Sequence, residues 1–276
     1  MSLSAPTNVS YLPSALGISK VAQLSLSNYW YTMSVPSSIL GSGIPYTVVA
    51  WVYFNGFYNS SCYKTGGSWG ENYIWTLGQG GCGGPCPGGT FRGVVFPFSS
   101  SFGYLGIDES CGATFSSSVP VYANQWVFLW WQYPGSGTTF YLGAIYGSNK
   151  QYSGTITLSS ALNIPTSGVY FWINQICYGG GLCNSNGWIA YLAFYNVALS
   201  TSQIYAIYQG QRITQGLVME YIGDNYDPST GVWYDSSGNN VNLSPATTPY
   251  PNRGCLLWVP TWAGGPSGNW INWPTC

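Results

Sequence analysis

The feature that most constrains this chain is a series of short runs that are apolar on both of their alternating faces. Thr47 to Phe54 (TVVAWVYF), Gln125 to Tyr133 (QWVFLWWQY), Thr138 to Tyr146 (TTFYLGAIY) and Trp188 to Asn196 (WIAYLAFYN) are the clearest. Each is rich in β-branched and aromatic residues and bounded by Gly, Pro, Ser or Asn, as strands ended by turns are. A run with no wet face predicts a central strand, covered on one side by a partner sheet and on the other by loops or another subunit. The PGSG at Pro134 to Gly137 lies between two such runs and reads as a hairpin turn that makes them antiparallel neighbours. An all-β, two-sheet antiparallel jelly-roll sandwich follows. Trp126, Trp130 and Trp131, mid-strand in an apolar run, read as core. One short helix is expected, because Ser200-Thr-Ser-Gln203 is a capping-box sequence and Ile204, Ile207 and Tyr208 then share a face before Gly210.

Charge narrows the function classes. Only 5% of the 276 residues are charged, against 18% aromatic, so the surface is polar but uncharged. Disorder is excluded by the apolar content, and no run of about 18 apolar residues offers a membrane span. Lys20, Lys64, Lys150, Arg92, Arg212 and Arg253 are scattered and build no basic stripe for nucleic acid. With no histidine and a net charge of −1, stability should depend weakly on pH. That suits a hot acidic habitat, and equally an Asn/Gly/Ser-rich secreted protein of a mild one.

The cysteines Cys62, Cys82, Cys86, Cys111, Cys177, Cys183, Cys255 and Cys276 form an even set spread along the chain, which points to disulfides and an oxidising compartment. Zinc is the competing reading for Cys82/Cys86 with Cys177/Cys183; the absence of His and the Gly and Pro between the thiols count against it. Sequons at Asn8, Asn59 and Asn242 fit an extracellular destination. MSLSAPTNVSYLP shows neither a basic n-region nor an apolar h-region. An extracellular texture without an export signal is what a virion component looks like; a trimmed leader is the alternative.

Catalysis has few candidate groups. The adjacent carboxylates Asp108 and Glu109 point to opposite faces of a strand unless the backbone turns there, so they do not form a glycosidase pair. A nucleophilic triad lacks its usual base. No enzyme activity is expected. Asp224, Asp227 and Asp235 fall in a turn-rich segment and suggest a calcium loop, the one cofactor considered, although Asp serves turns by itself.

Three segments carry a resemblance to a known family. YWYTMSVPSSI (29–39) with PYTVVAWVYF (45–54), then ANQWVFLWWQYPGSGTTFYLGAIYG with Trp126 and the return strand 141–147, then GWIAYLAFYNVALSTSQIYAIYQG, together resemble laminin-G-like, concanavalin-A-like domains over about residues 20–210. Ala190, Tyr191 and Gln203 depart from the family's usual Asp-Glu and helix Glu, which makes a calcium site doubtful. GLVMEYIGDNYDPSTGVWYDSSGNNVNL (216–243) resembles the lead-in segment found before such domains, although here it follows one. Residues 1–215 are therefore expected to form the jelly roll, and 216–276 a Trp/Pro/Gly-rich extension packed on it or on a neighbouring subunit. Within that extension Trp258, Trp262, Trp270 and Trp273 are candidates for assembly or glycan contact.

Aromatic and amide groups on an uncharged surface suit sugars and protein partners alike. The expectation is a virion surface protein with a lectin-like fold, contacting copies of itself or other virion proteins and host glycans or a receptor. A secreted or cell-surface carbohydrate-binding module is the alternative.

Overall fold

The computed structural model describes residues 18, 21–24, 30–57, 72–78, 90–109, 113–147, 149–174, 177–178, 181–182, 185–227, 229–245, 256–258 and 270–272. In chain order the strands begin with β1 Val21–Leu24, β2 Trp30–Thr32, β3 Gly41–Ser42, β4 Tyr46–Phe54, β5 Asn72–Gly78, β6 Phe91–Pro97 and β7 Phe102–Glu109. They continue with β8 Ala113–Tyr122, β9 Trp126–Tyr133, β10 Thr139–Tyr146, β11 Gln151–Thr157, β12 Asn163–Ile164, β13 Tyr170–Ile173, β14 Cys177–Tyr178, β15 Gly181–Leu182 and β16 Gly187–Tyr195. After the helix α1, Thr201–Tyr208, come β17 Leu217–Ile222, β18 Ser244–Pro245, β19 Leu256–Trp258 and β20 Trp270–Asn272.

Two antiparallel sheets dominate. The nine-stranded sheet runs β11-β10-β9-β4-β16-β1-β19-β20, with β17 also on β16, and the seven-stranded sheet runs β18-β2-β13-β5-β6-β7-β8. The four strands expected most firmly are β4, β9, β10 and β16. The turn at 134–137 joins β9 to β10 as neighbours, with Tyr141 opposite Gln132 and Tyr146 opposite Val127.

Runs apolar on both faces have a direct explanation here, because the central strands of the nine-stranded sheet, β4 and β16, are buried on both sides. All nine residues of β4 are buried. Tyr46, Val48, Ala50, Val52 and Phe54 enter the core between the sheets. Val49, Trp51 and Tyr53 enter a second apolar layer outside the sheet, with Phe128, Trp188, Tyr191, Ile204 and Ile207. That outer layer lies under α1, whose Tyr208 ring stacks on Trp51 at 5.4 Å and 25°. The capping box forms as expected: Ser200 Oγ accepts from Gln203 N, and Gln203 Oε1 accepts from Ser200 N at 2.8 Å. Gln203 thus does what the usual glutamate does, since either side chain supplies the acceptor oxygen.

Between the sheets, Trp75 of β5 meets Trp131 of β9 edge to face at 5.8 Å and 86°. Trp131 Nε1 crosses the interface to the Gly106 carbonyl of β7 at 3.0 Å.

The segment after residue 216 supplies strands to both sheets. β17 pairs with β16 from Tyr191 opposite Ile222 to Tyr195 opposite Leu217, and β18 pairs with β2. Trp233 and Leu243 are fully buried in the inter-sheet core. Glu220 anchors the same segment: Arg212 grips its carboxylate, Nη2 to Oε2 at 2.6 Å, and the Tyr191 hydroxyl donates to Oε1 at 3.2 Å.

Trp130 departs from the core reading. Trp126 and Trp131 are buried, but Trp130 faces outward and is half-buried. Alternation alone does not reveal how far α1 extends over the outer face.

Candidate functional site

Inward residues of the seven-stranded sheet, including Trp30, Leu77, Phe91, Ile107 and Phe171, form the inter-sheet core. Their neighbours in sequence must face out. Register then aligns the outward residues into one row: Ser244 opposite Tyr31, Tyr31 opposite Trp172, Trp172 opposite Thr76, Thr76 opposite Arg92 and Arg92 opposite Asp108. At about 4.8 Å per strand the row spans roughly 24 Å.

One half of the row is aromatic. Tyr170 lies two residues before Trp172, on the same face, and its ring stacks on the indole at 5.0 Å and 11°. Tyr31, Trp172 and Tyr170 are all half-buried, so each ring keeps accessible surface. Tyr170 stands opposite Gly78, which sets no side chain against it.

The other half is a buried ion pair. Arg92 Nη1 donates to Asp108 Oδ2 at 2.5 Å, and the Tyr73 hydroxyl donates to the same oxygen at 3.1 Å. Asp108 is fully buried and Arg92 is 6% exposed. Arg92 Nε and Asp108 Oδ1 find no hydrogen-bond partner among the described residues. The guanidinium neutralises the carboxylate, so the row carries no net charge. Asp108 and Glu109 lie in the continuous strand β7, opposite Arg92 and Phe91.

A separate cleft of about 470 Å³ opens between Ser34, Pro36 and Ser38 on one side and Asn196, Leu217 and Asn239 on the other. Among the described residues its lining has neither an aromatic ring nor a charged group.

The aspartates proposed for calcium are taken up by turns. Asp227 accepts from Ser229 N, Ser229 Oγ and Thr230 Oγ1, and these bonds hold its carboxyl below the usual range. Asp235 accepts from Glu220 N, Ser237 N and Val241 N. Asp224 lies in a single 3-10 turn, Gly223–Asn225. No group of three or more metal-ligating side chains forms among the described residues. Asp227 and Asp235 thus serve the turns they sit in, the role that Asp also has by itself. Asn242 is exposed, and its Oδ1 accepts from Asp235 N.

Asn8, Asn59, Trp262, Trp273 and seven of the cysteines lie outside the described residues. Cys177 is described by its backbone, in β14. Trp258 and Trp270 are register partners of the β19–β20 pair, and their side chains too lie outside the description. Sequence reasoning did not single out Tyr31, Tyr170 and Trp172. Alternation in YFWI and WYT hinted at them, but only register brings them together.

Two large antiparallel sheets face to face, followed by one capped helix after the closing strand, define a concanavalin-A-like sandwich. A candidate carbohydrate binding protein from Bacteroides ovatus ATCC 8483 has this fold, with a TM-score of 0.56 at 14% identity over 83% of this chain and 58% of that one. This chain thus spans less than two thirds of that protein. A heptameric SAP-like pentraxin from Limulus polyphemus gives a TM-score of 0.43 at 14% identity, covering 69% of this chain and 82% of its own. The Ruminococcus gnavus IT-sialidase CBM40 bound to α2,3 sialyllactose gives 0.42 at 12%, covering 69% and 93%. No family model matches the sequence, and no curated protein does.

Proposed function

We propose that this protein is a non-enzymatic carbohydrate-binding module that docks neutral polysaccharide on the outer face of its seven-stranded sheet. The stack of Tyr170 on Trp172, beside Tyr31 on a rigid sheet, carries the reading. Sugar rings present apolar C–H faces that suit aromatic surface, and a ring fixed by β-pairing loses little entropy on binding. Neutral ligands are favoured because the one cation in the row, Arg92, is committed to Asp108. The likeness of segments to laminin-G-like domains fits the same assignment.

Electrophoresis through native gels cast with xylan, mannan or hydroxyethylcellulose tests it. At least one polysaccharide should retard the wild-type protein. Trp172→Ala should weaken that retention by about 2 kcal/mol or more, near thirtyfold in Kd, and Tyr31→Ala should weaken it less. Free migration of the wild type in every gel, or retention indifferent to both substitutions, would overturn the reading.

We place the module outside the cytoplasm, at a virion or cell surface, on the strength of its low charge and even cysteine set. Quantitative mass spectrometry of purified particles against cell envelopes decides between those settings. Enrichment in particles supports the virion, and enrichment in envelopes the cellular lectin.

A further inference from the structure

We infer that the outer face of the nine-stranded sheet carries a second carbohydrate platform, built on Trp130 and Tyr141, so that one molecule cross-links two polysaccharide chains. This rests on the carbohydrate-binding reading above and adds a valency to it.

Helix α1 covers only part of that face. Its Tyr208 packs on Trp51 and Phe128, whereas toward β11 the outward residues Tyr141, Ser153 and Thr155 are exposed. There, register sets Trp130 opposite Gly143 and Gln132 opposite Tyr141, then Gly143 opposite Ser153 and Tyr141 opposite Thr155.

Gly143 is what makes a platform of this. A Cβ at that position would stand 2.5 Å from both Cε2 and Nε1 of Trp130. Neighbouring ring atoms at equal distance mean that the indole lies broadside on the β10 backbone, one face against glycine. Trp130 stays half-buried. Tyr141 is 40% exposed and is its diagonal neighbour, about 7–8 Å away. Ser153 and Thr155 flank the rings as exposed hydroxyls. Two rings at this spacing, rimmed by neutral hydrogen-bonding groups, match two sugar units of a neutral chain.

The two platforms face opposite ways across a sandwich whose sheets pack about 10 Å apart. One stiff chain does not lie on both, so occupation of both joins separate chains.

Two measurements test the inference: calorimetric titration with xylohexaose, mannohexaose or cellohexaose, and light scattering after mixing with the parent polysaccharide. The wild type should show two sites per chain and precipitate the polymer. Tyr141→Ser changes an exposed ring and leaves the fold intact. It should titrate with one site and keep only the share of gel retention that Trp172→Ala removes, while its precipitating power falls tenfold or more. Trp130→Ala, checked by circular dichroism, should do the same. One site and no precipitate for the wild type, with all binding lost in Trp172→Ala, would remove the second platform and leave the first. Scattering that arises without polysaccharide and disappears in Tyr141→Ser would instead make the patch a self-association surface and overturn the inference. A wild type that binds none of the probes removes both readings.

Discussion

Arg92 and Asp108 illustrate what a single residue costs in this fold. Their charges are out of water and satisfied largely by each other and by Tyr73. Asp108→Asn should destabilise the protein by about 3–5 kcal/mol in urea unfolding, because it leaves a buried guanidinium uncompensated. The double variant Arg92→Met with Asp108→Leu should recover most of that loss. Reading the chain alone set Asp108 on a strand, facing away from Glu109, and went no further. Its partner lies sixteen residues away on the adjoining strand, and that juxtaposition is fixed by hairpin register, which no local pattern encodes. Trp130 shows the same limit from the other side. Its apolar neighbourhood in sequence says core, and only Gly143, thirteen positions on and across the hairpin, explains why it lies flat at the surface.

Elements whose determinants are local were fully legible. Helix α1 begins where Ser200 and Gln203 exchange hydrogen bonds, and both partners sit within one turn. Ser200→Ala should cost about 1 kcal/mol, read as a lower midpoint in chemical denaturation. The strand β17 was not legible as part of the sandwich, because its pairing with β16 spans the whole helix and its segment resembles a lead-in. Leu217–Ile222 completes the nine-stranded sheet, and Trp233 fills the core behind it. A chain ended at residue 215 should therefore fail to give a cooperative unfolding transition, and Trp233→Ala should lose about 3–5 kcal/mol. A 1–215 fragment with full cooperativity would show the extension to be dispensable.

For the molecule as a whole, burying the central strands of one sheet on both faces places many tyrosines out of water. Burial pushes Tyr195 up to about 12 and raises Tyr146, Tyr191 and Tyr221 as well. Each holds its proton more tightly folded than unfolded. Their contribution is therefore intact below the ordinary value of 10.0 and is lost progressively as pH rises from there toward their raised folded values. Asp227, held low, acts in the opposite direction and loses its small contribution below 3.8. With no histidine in between, the melting temperature should be nearly level from about pH 5 to 9 and fall steeply above 10. A pronounced slope near neutrality would contradict this. The Trp75–Trp131 contact adds an optical consequence. The two indoles belong to opposite sheets and stand edge to face at close range, a geometry in which their electronic transitions couple. The resulting couplet in far-ultraviolet circular dichroism exists only while the sheets are docked. The protein thus carries a built-in reporter of sandwich closure, whose Trp75–Trp131 part Trp75→Phe would remove while the Trp30–Trp233 pair, at 5.3 Å and 72°, keeps its own.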